Sequence, residues 1–282
     1  MEVHRGEAMG RKGELALAGR AHEIQDVVLI AQAGLRLVEI NLLQGEQAMA
    51  RLGDLKDMAH RWGLSYLVHA PNEGDPRDLR NLGGPFLDRI LRLLEGCAEI
   101  GAGLLTVHFW MDRRFIPEPV VHQKARILAR MVQEGARLGV RVSLENLSEE
   151  SQDLVPALEE SPGLGLTLDV GHGQLMCSRN RALEILERFP ERVCHVHLHD
   201  NLGGDLVGDD LHLPVGEGRI DFRAFLEALL GSGYKGAATL EVPPGAIRVS
   251  RERIQEILEG INRGRQQGGR HEPKGPQGKA GP

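Results

Sequence analysis

The chain has 282 residues, of which 41% are hydrophobic and 26% charged, the balance of a globular protein and not of a membrane or low-complexity one. Its net charge of −6 is uneven: residues 263–282 hold five Lys/Arg against one Glu, so the other 262 residues carry −10. A body that acidic matches a nucleic-acid backbone poorly, and no apolar run approaches the roughly 20 residues that a bilayer span requires. Cys97, Cys177 and Cys194 are odd in number and widely spaced, which argues against a disulfide framework or a thiolate zinc cluster. The N-terminal stretch has no signal-peptide core, so a cytoplasmic location is expected.

From residue 13 to residue 262, short aliphatic or β-branched runs alternate with runs of helical period. The first strand is expected at 14–19 with a helix over 22–33, and the second at 35–42 with a helix over 46–62. Next come 65–71 with a helix from Pro85 to Ile100, and 104–110 with a helix over 118–138. Strands at 141–146 and 164–172 precede helices near 151–160 and 179–188. The last two strands, 193–200 and 236–242, precede the helical runs DFRAFLEALL and AIRVSRERIQEILEGI. Eight such pairs predict an α/β fold, a single (β/α)₈ TIM barrel over residues 1–262. A doubly wound open sheet would more naturally carry a Gly-rich phosphate turn after its first strand, and none is present. Residues 263–282, rich in Gly, Pro and Gln with no apolar pattern, are expected to be a disordered basic tail.

Side chains alternate across a strand, so the aliphatic pairs Tyr66/Val68, Leu105/Val107, Val142/Leu144, Leu166/Leu168, Val196/Leu198 and Ala238/Leu240 assign the helix-facing side. The opposite set ends in His69, His108, Glu145, Asp169, His197 and Glu241, each near the C-terminal end of its strand. One step deeper lie small hydroxylated residues: Thr106, Ser143, Thr167 and Thr239. Six metal-capable side chains in register at one mouth predict a divalent cation, because crowded carboxylates repel one another unless a cation offsets them. Glu39, inward on the second strand, is expected to orient a ligand histidine. The loop residues His172, Asp210 and His212 can reach the same site. His195, deeper than His197, and His199, beyond the rim, are expected to surround the ligands without binding metal. His4, His22, His60, His122 and His271 are expected to be solvated.

The stretches LVEI, VHAP, VHFW, SLEN, TLDVGH, HVHLHDN, DDLHLPVGEGRIDF and GYKGAATLE together resemble the xylose isomerase-like barrel superfamily across nearly all of residues 35–242. That superfamily includes sugar-phosphate isomerases and epimerases as well as endonuclease IV-type abasic-site endonucleases. The resemblance to the first branch implies one divalent ion (zinc, manganese, cobalt or magnesium) on Glu145, Asp169, His197 and Glu241. Glu145 and Glu241 would then exchange a proton with an α-hydroxyketone sugar or sugar phosphate through a metal-stabilised enediolate, with Asn146 and His199 in supporting positions. The resemblance to the second branch implies up to three zinc ions on His69, His108, Glu145, Asp169, His172, His197, Asp210, His212 and Glu241, and hydrolysis of a phosphodiester.

Departures from the endonuclease pattern favour the sugar branch. Pro71-Asn72-Glu73 stands where the endonucleases carry a Tyr-Leu wedge, and a carboxylate there should repel phosphates. Leu211 replaces an arginine, and the body is acidic; Arg77 and Arg80 could line a phosphate path, but a solvated loop or a sugar-phosphate contact explains them equally well. Glu145-Asn146-Leu147 also lacks the lysine that a classical xylose isomerase pairs with its glutamate. The expected partner is therefore a small sugar or sugar phosphate, with nucleic acid disfavoured, no membrane contact, and a homo-oligomer allowed.

Overall fold

The computed structural model describes residues 15–41 and 48–268. Eight parallel strands close into a barrel in chain order: β1 (Ala16–Ala21), β2 (Leu37–Ile40), β3 (Ser65–His69), β4 (Leu104–Val107), β5 (Arg141–Glu145), β6 (Gly165–Asp169), β7 (Val193–Leu198) and β8 (Ala237–Leu240). The principal helices follow them: α1 (Ile24–Gln32), α2 (Ala48–Trp62), α3 (Leu87–Glu99), α4 (Glu118–Leu138), α5 (Val155–Glu160), α6 (Arg181–Arg188), α7 (Phe222–Gly231) and α8 (Ile247–Gly268). The barrel read from the sequence is the observed fold.

The core is the shell between barrel and helices. Val68, Val107, Leu168, Val196, Leu198 and Leu240 are sealed from solvent on the helix-facing side, as the alternation requires. Inside the barrel the hydroxyls form a floor: Thr167 Oγ1 donates to Ser143 Oγ at 2.7 Å and lies 3.1 Å from Thr106 Oγ1.

Four local differences from the sequence reading have physical causes. β1 runs two residues further than expected, which brings Arg20 to the strand end opposite Glu39. In β7 the register slips: Leu166 pairs with Val193 but Thr167 pairs with His195, so Cys194 is an extra, bulged residue. Its Sγ reaches Ser143 Oγ at 3.3 Å, and only glycine fits at position 165, where a Cβ would lie 2.4 Å from that sulfur. The helix expected from Pro85 begins instead at Leu87, after a wide turn over Leu82–Phe86 with Gly84 at φ −121°, ψ −106°. Finally, α8 continues to Gly268, six residues past the expected boundary. Ile261 anchors its apolar face, and Arg263, Arg265, Gln266 and Gln267 are good helix formers. The remainder of the expected tail, His4 and His271 lie outside the described residues.

Candidate active site

The strand ends bring together the inward residues expected from the sequence. Glu145 is the hub. Its Oε2 faces His69 Nε2 at 2.9 Å and His108 Nε2 at 3.2 Å, while Oε1 faces His197 Nδ1 and His172 Nδ1, each at 3.2 Å. His197 Nδ1 also lies 3.1 Å from Glu241 Oε2 and 3.6 Å from Asp169 Oδ2. All of these except His108 are at least nine-tenths buried.

Each of five histidines has one ring nitrogen tied to an oxygen on the far side and the other aimed at a carboxylate in the site. His69 Nδ1 pairs with Ala70 O (2.8 Å), His108 Nδ1 with Asn72 Oδ1 (3.0 Å) and His172 Nδ1 with Asn146 O (3.1 Å). His212 Nδ1 pairs with Glu241 O (2.9 Å) and His197 Nε2 with both oxygens of Glu39 (3.1 Å). An N–H donated outward leaves the inner nitrogen as a lone-pair donor, which is how proteins hold metal-binding imidazoles. Glu39 thus has the geometry expected of it, and it braces His195 as well, at 3.2 Å.

Four of the buried atoms left without hydrogen-bond partners fit a cation. Buried Glu145 Oε1, His197 Nδ1, Glu241 Oε2 and His108 Nε2 are all unpartnered among the described residues, and the first three converge. Five overlapping groups of donors are compact enough to hold an ion: His69, His108 and Glu145; Glu145, Asp169, His197 and Glu241; His172, His199, Asp210 and His212; His69, His197 and Glu241; and Glu39, His195 and His197. In chemical type these nitrogen and carboxylate sets suit zinc, manganese or cobalt.

Without an ion, protons do the balancing. Burial alone would raise Glu39, Glu145 and Glu241, yet the imidazole of His197 and its neighbours hold all three well below the usual carboxylate range. Conversely, burial would lower His197 and His172, but the surrounding carboxylates keep both well above an ordinary imidazole. His212 is likewise raised to about 9: burial works against this, and the hydrogen bond that it donates to Asp210 outweighs it. His69 goes the other way, lowered by burial and by the charge of Arg20.

The loop after β7 carries the third group. Asp200 organises it by accepting from three backbone N–H groups, those of Asn201 (2.8 Å), Gly216 (2.8 Å) and Ile220 (3.2 Å), while Asp200 and Leu213 form an antiparallel bridge. This folds the loop back, so that Asp210 Oδ2 meets His172 Nε2 at 3.2 Å and His212 Nε2 at 3.1 Å. His199, expected beyond the rim, is fully buried instead. Its Nε2 meets both oxygens of Asp169 at 3.0 and 3.1 Å, and its ring stacks on His212 at 3.9 Å. Gly171 makes room for it, since a Cβ there would lie 2.0 Å from His199 Cε1. Asn146 braces the strand end rather than facing the mouth: its side-chain amide pairs with both the N–H and the C=O of Asp169, each at 2.9 Å.

One argument against phosphates does not survive. Glu73 is buried, accepts from Lys124 Nζ at 2.6 Å and from Trp110 N at 2.7 Å, and so presents no free carboxylate to an incoming ligand. The sequence reading missed its partner, which lies 51 residues away on α4. It also missed Asn72, whose only signal was its place after the VHAP strand, and Arg20, whose strand was expected to end one residue earlier.

Residues 27–266 match the profile of the xylose isomerase-like TIM barrel family. An uncharacterised protein of Methanocaldococcus jannaschii, MJ1311, is 28% identical over 229 residues, covering 74% of this chain and 75% of its own. The inosose isomerase of Bacillus velezensis is 22% identical, covering 77% and 82%. Among solved structures, a D-tagatose 3-epimerase-like protein superposes with a TM-score of 0.76 over 89% of this chain and 99% of its own, at 23% identity. With a matched profile over most of its length and a closed eight-stranded barrel, the chain belongs to the xylose isomerase-like TIM barrel family.

Proposed function

We propose that the protein is a divalent-metal-dependent isomerase or epimerase of a small sugar or sugar phosphate, working by proton transfer at the carbon beside a carbonyl. The observation that carries this reading is the pair Glu145 Oε1 and Glu241 Oε2: buried, unpartnered, held at the ends of β5 and β8, and 3.2 and 3.1 Å from the same His197 Nδ1. A bound divalent ion supplies Lewis acidity toward the carbonyl and the neighbouring hydroxyl. Glu145, Asp169, His197 and Glu241 would hold it. The chain's own residues do the rest. One glutamate takes the proton from carbon and the other returns one, so the substrate passes through an enediolate. Glu39 fixes the His197 tautomer and Asn146 fixes the backbone under Asp169. The kinship with an inosose isomerase, and the fold shared with a D-tagatose 3-epimerase-like protein, support this class of reaction.

The test is solvent exchange. Ketopentoses, ketohexoses, their phosphates and inososes are incubated with metal-loaded protein in D₂O, and deuterium is expected at the carbon next to the carbonyl. Turnover with no deuterium incorporated would point to a hydride shift or to hydrolysis.

A second reading, a three-ion phosphodiester hydrolase acting on abasic DNA or a related ester, is favoured by one specific feature. His69 and His108 both aim at Glu145 Oε2, and His172, Asp210 and His212 converge separately, so the nine residues are covered by three compact donor groups, two of which share Glu145. Metal stoichiometry on the purified chain separates the readings: one ion supports the isomerase, and three zincs call for an abasic-DNA assay.

A further inference from the structure

Among the described residues, Arg20 is the only Lys or Arg at the C-terminal ends of the barrel strands. It pairs with Glu39 across β1 and β2, and the next step of the β1–β8 register, after Gly19 with Leu240, sets it level with Glu241. It is only 4% exposed. Its Nη1 lies between the two glutamates, 3.3 Å from Glu39 Oε1 and 3.4 Å from Glu241 Oε1. Neither contact has hydrogen-bond alignment, so what Arg20 brings to them is its charge. Glu39 has other partners, since His197 engages both its oxygens and His195 one of them. Glu241 does not share that surplus. Beyond His197 Nδ1, 3.1 Å from Oε2, Arg20 is its only side-chain partner among the described residues.

The other carboxylates of the ion centre are flanked by groups that can give way to an ion. Glu145 faces His69 and His108 with Oε2, and His172 and His197 with Oε1. Asp169 faces His199 with both oxygens. An imidazole that loses its proton becomes a neutral neighbour or a co-ligand. A guanidinium does neither, because it keeps its charge at every working pH and has no lone pair to offer. Whatever binds at Oε2, Glu241 Oε1 therefore keeps a cation beside it.

We propose that Arg20 is a positioning residue of the ion centre: it holds Glu241 Oε1 aside, so that Glu241 offers a divalent ion Oε2 alone, and its charge loosens the ion's hold on that glutamate. Glu145, with imidazoles on both oxygens, is free to use both. This deepens the proposed function and rests on its ion centre, not on its proton transfer; on that reading Glu241 is the glutamate more readily released toward the substrate. The sign of one measurement separates this role from a structural brace. Losing a brace for the strand ends weakens ion binding. Losing a cation that withholds an oxygen and opposes the ion by like charge strengthens it.

The experiment measures zinc affinity by chelator competition on the full-length chain, with melting temperatures recorded on the metal-free samples. The wild type is expected to bind at least one zinc. Arg20→Met should bind zinc about tenfold more tightly, while its metal-free form melts lower because Glu39 and Glu241 lose the charge between them. Arg20→Gln removes the same charge but keeps a donor; the same gain is expected, and it covers the case in which the methionine variant does not fold. Arg20→Lys keeps the charge and should stay within about threefold of the wild type. In a Glu241→Gln background the gain from Arg20→Met should shrink below about threefold, since no charged oxygen is left to release. The proposal is overturned if the neutral variants bind zinc no more tightly than the wild type, if Arg20→Lys gains as much as Arg20→Met, or if the gain survives intact in Glu241→Gln. A wild type that binds no zinc overturns it together with the ion centre. Failure of the isomerase reading alone would show as absent turnover, which these affinities do not depend on.

Discussion

The site is built in two ways. Glu145, Asp169, His197 and Glu241 stand on or next to barrel strands, are at most 8% exposed, and owe their positions to the register of β5 through β8. Asp210 and His212 stand on the loop after β7, have side chains 25% and 34% exposed, and owe their positions to one folded-back loop. Even the backbone differs: His212 adopts φ +46°, a left-handed conformation that is unfavourable for a residue with a Cβ. The strand-borne group is fixed by the register of the barrel, whereas Asp210 and His212 are held by the folded-back loop and meet the strand ends through the His212 Nδ1 contact with Glu241 O. On the proposed function, the chemistry would stand on the first and the number of ions would depend on the second.

The sharpest way to break this division is at the two glutamates. Glu145→Gln and Glu241→Gln keep shape and burial but remove the proposed proton acceptor, so turnover should fall about 10²- to 10⁴-fold, the usual range for a general acid–base group. Metal content measured on the same samples would separate lost chemistry from lost ion.

Next in size is Asp200→Ala, which leaves the N–H groups of Asn201, Gly216 and Ile220 without their acceptor. One such buried group costs about 1–3 kcal/mol, so denaturant unfolding should show a loss of roughly 3 kcal/mol. The expected signature is selective. Zinc bound through His172, Asp210 and His212 should go, while zinc on the strand-borne group stays. Equal loss from both would erase the distinction.

A smaller effect is expected with pH. His212, raised to about 9, stabilises the metal-free fold fully below its unfolded value near 6.5, and that contribution is lost as pH rises through about 9. Zinc replaces those protons, so its binding strengthens over the same interval. The melting temperatures of zinc-loaded and chelator-treated protein should therefore diverge steadily from pH 6.5 to 9. In the Asp210→Asn variant, which removes the partner that raises His212, the divergence should shrink.

The period-2 alternation made most of this legible in advance. Once Val68, Val107, Leu168 and Val196 were assigned to the helix side, the parity of His69, His108, Asp169 and His197 followed, and the structure brings them together. What the sequence hid is long-range or lacks contrast. β1 reads ALAGRA, whose small residues give no sharp inside-outside pattern, so its end and Arg20 were out of view. The burial of His199 depends on the Asp200–Leu213 bridge and on the absence of a Cβ at Gly171, neither of which periodicity reports. Glu73 looked like a surface charge because its partner Lys124 is distant in sequence and near only once α4 packs on the barrel.

The finest test of the two-part site is His212→Gly. Glycine tolerates φ +46°, so the substitution relieves a strain of about 1 kcal/mol while deleting one imidazole. It also removes the 3.9 Å stack on His199 and the hydrogen bond to Glu241 O, which together are of similar size. The two changes oppose each other, and the metal-free melting temperature should move by only a few degrees. Zinc binding to the loop-borne group should nonetheless weaken, since three donors remain where four converged. If instead the metal-free protein lost several kcal/mol, His212 would be holding Glu241 in place, and the loop could no longer be treated as separable from the strand ends.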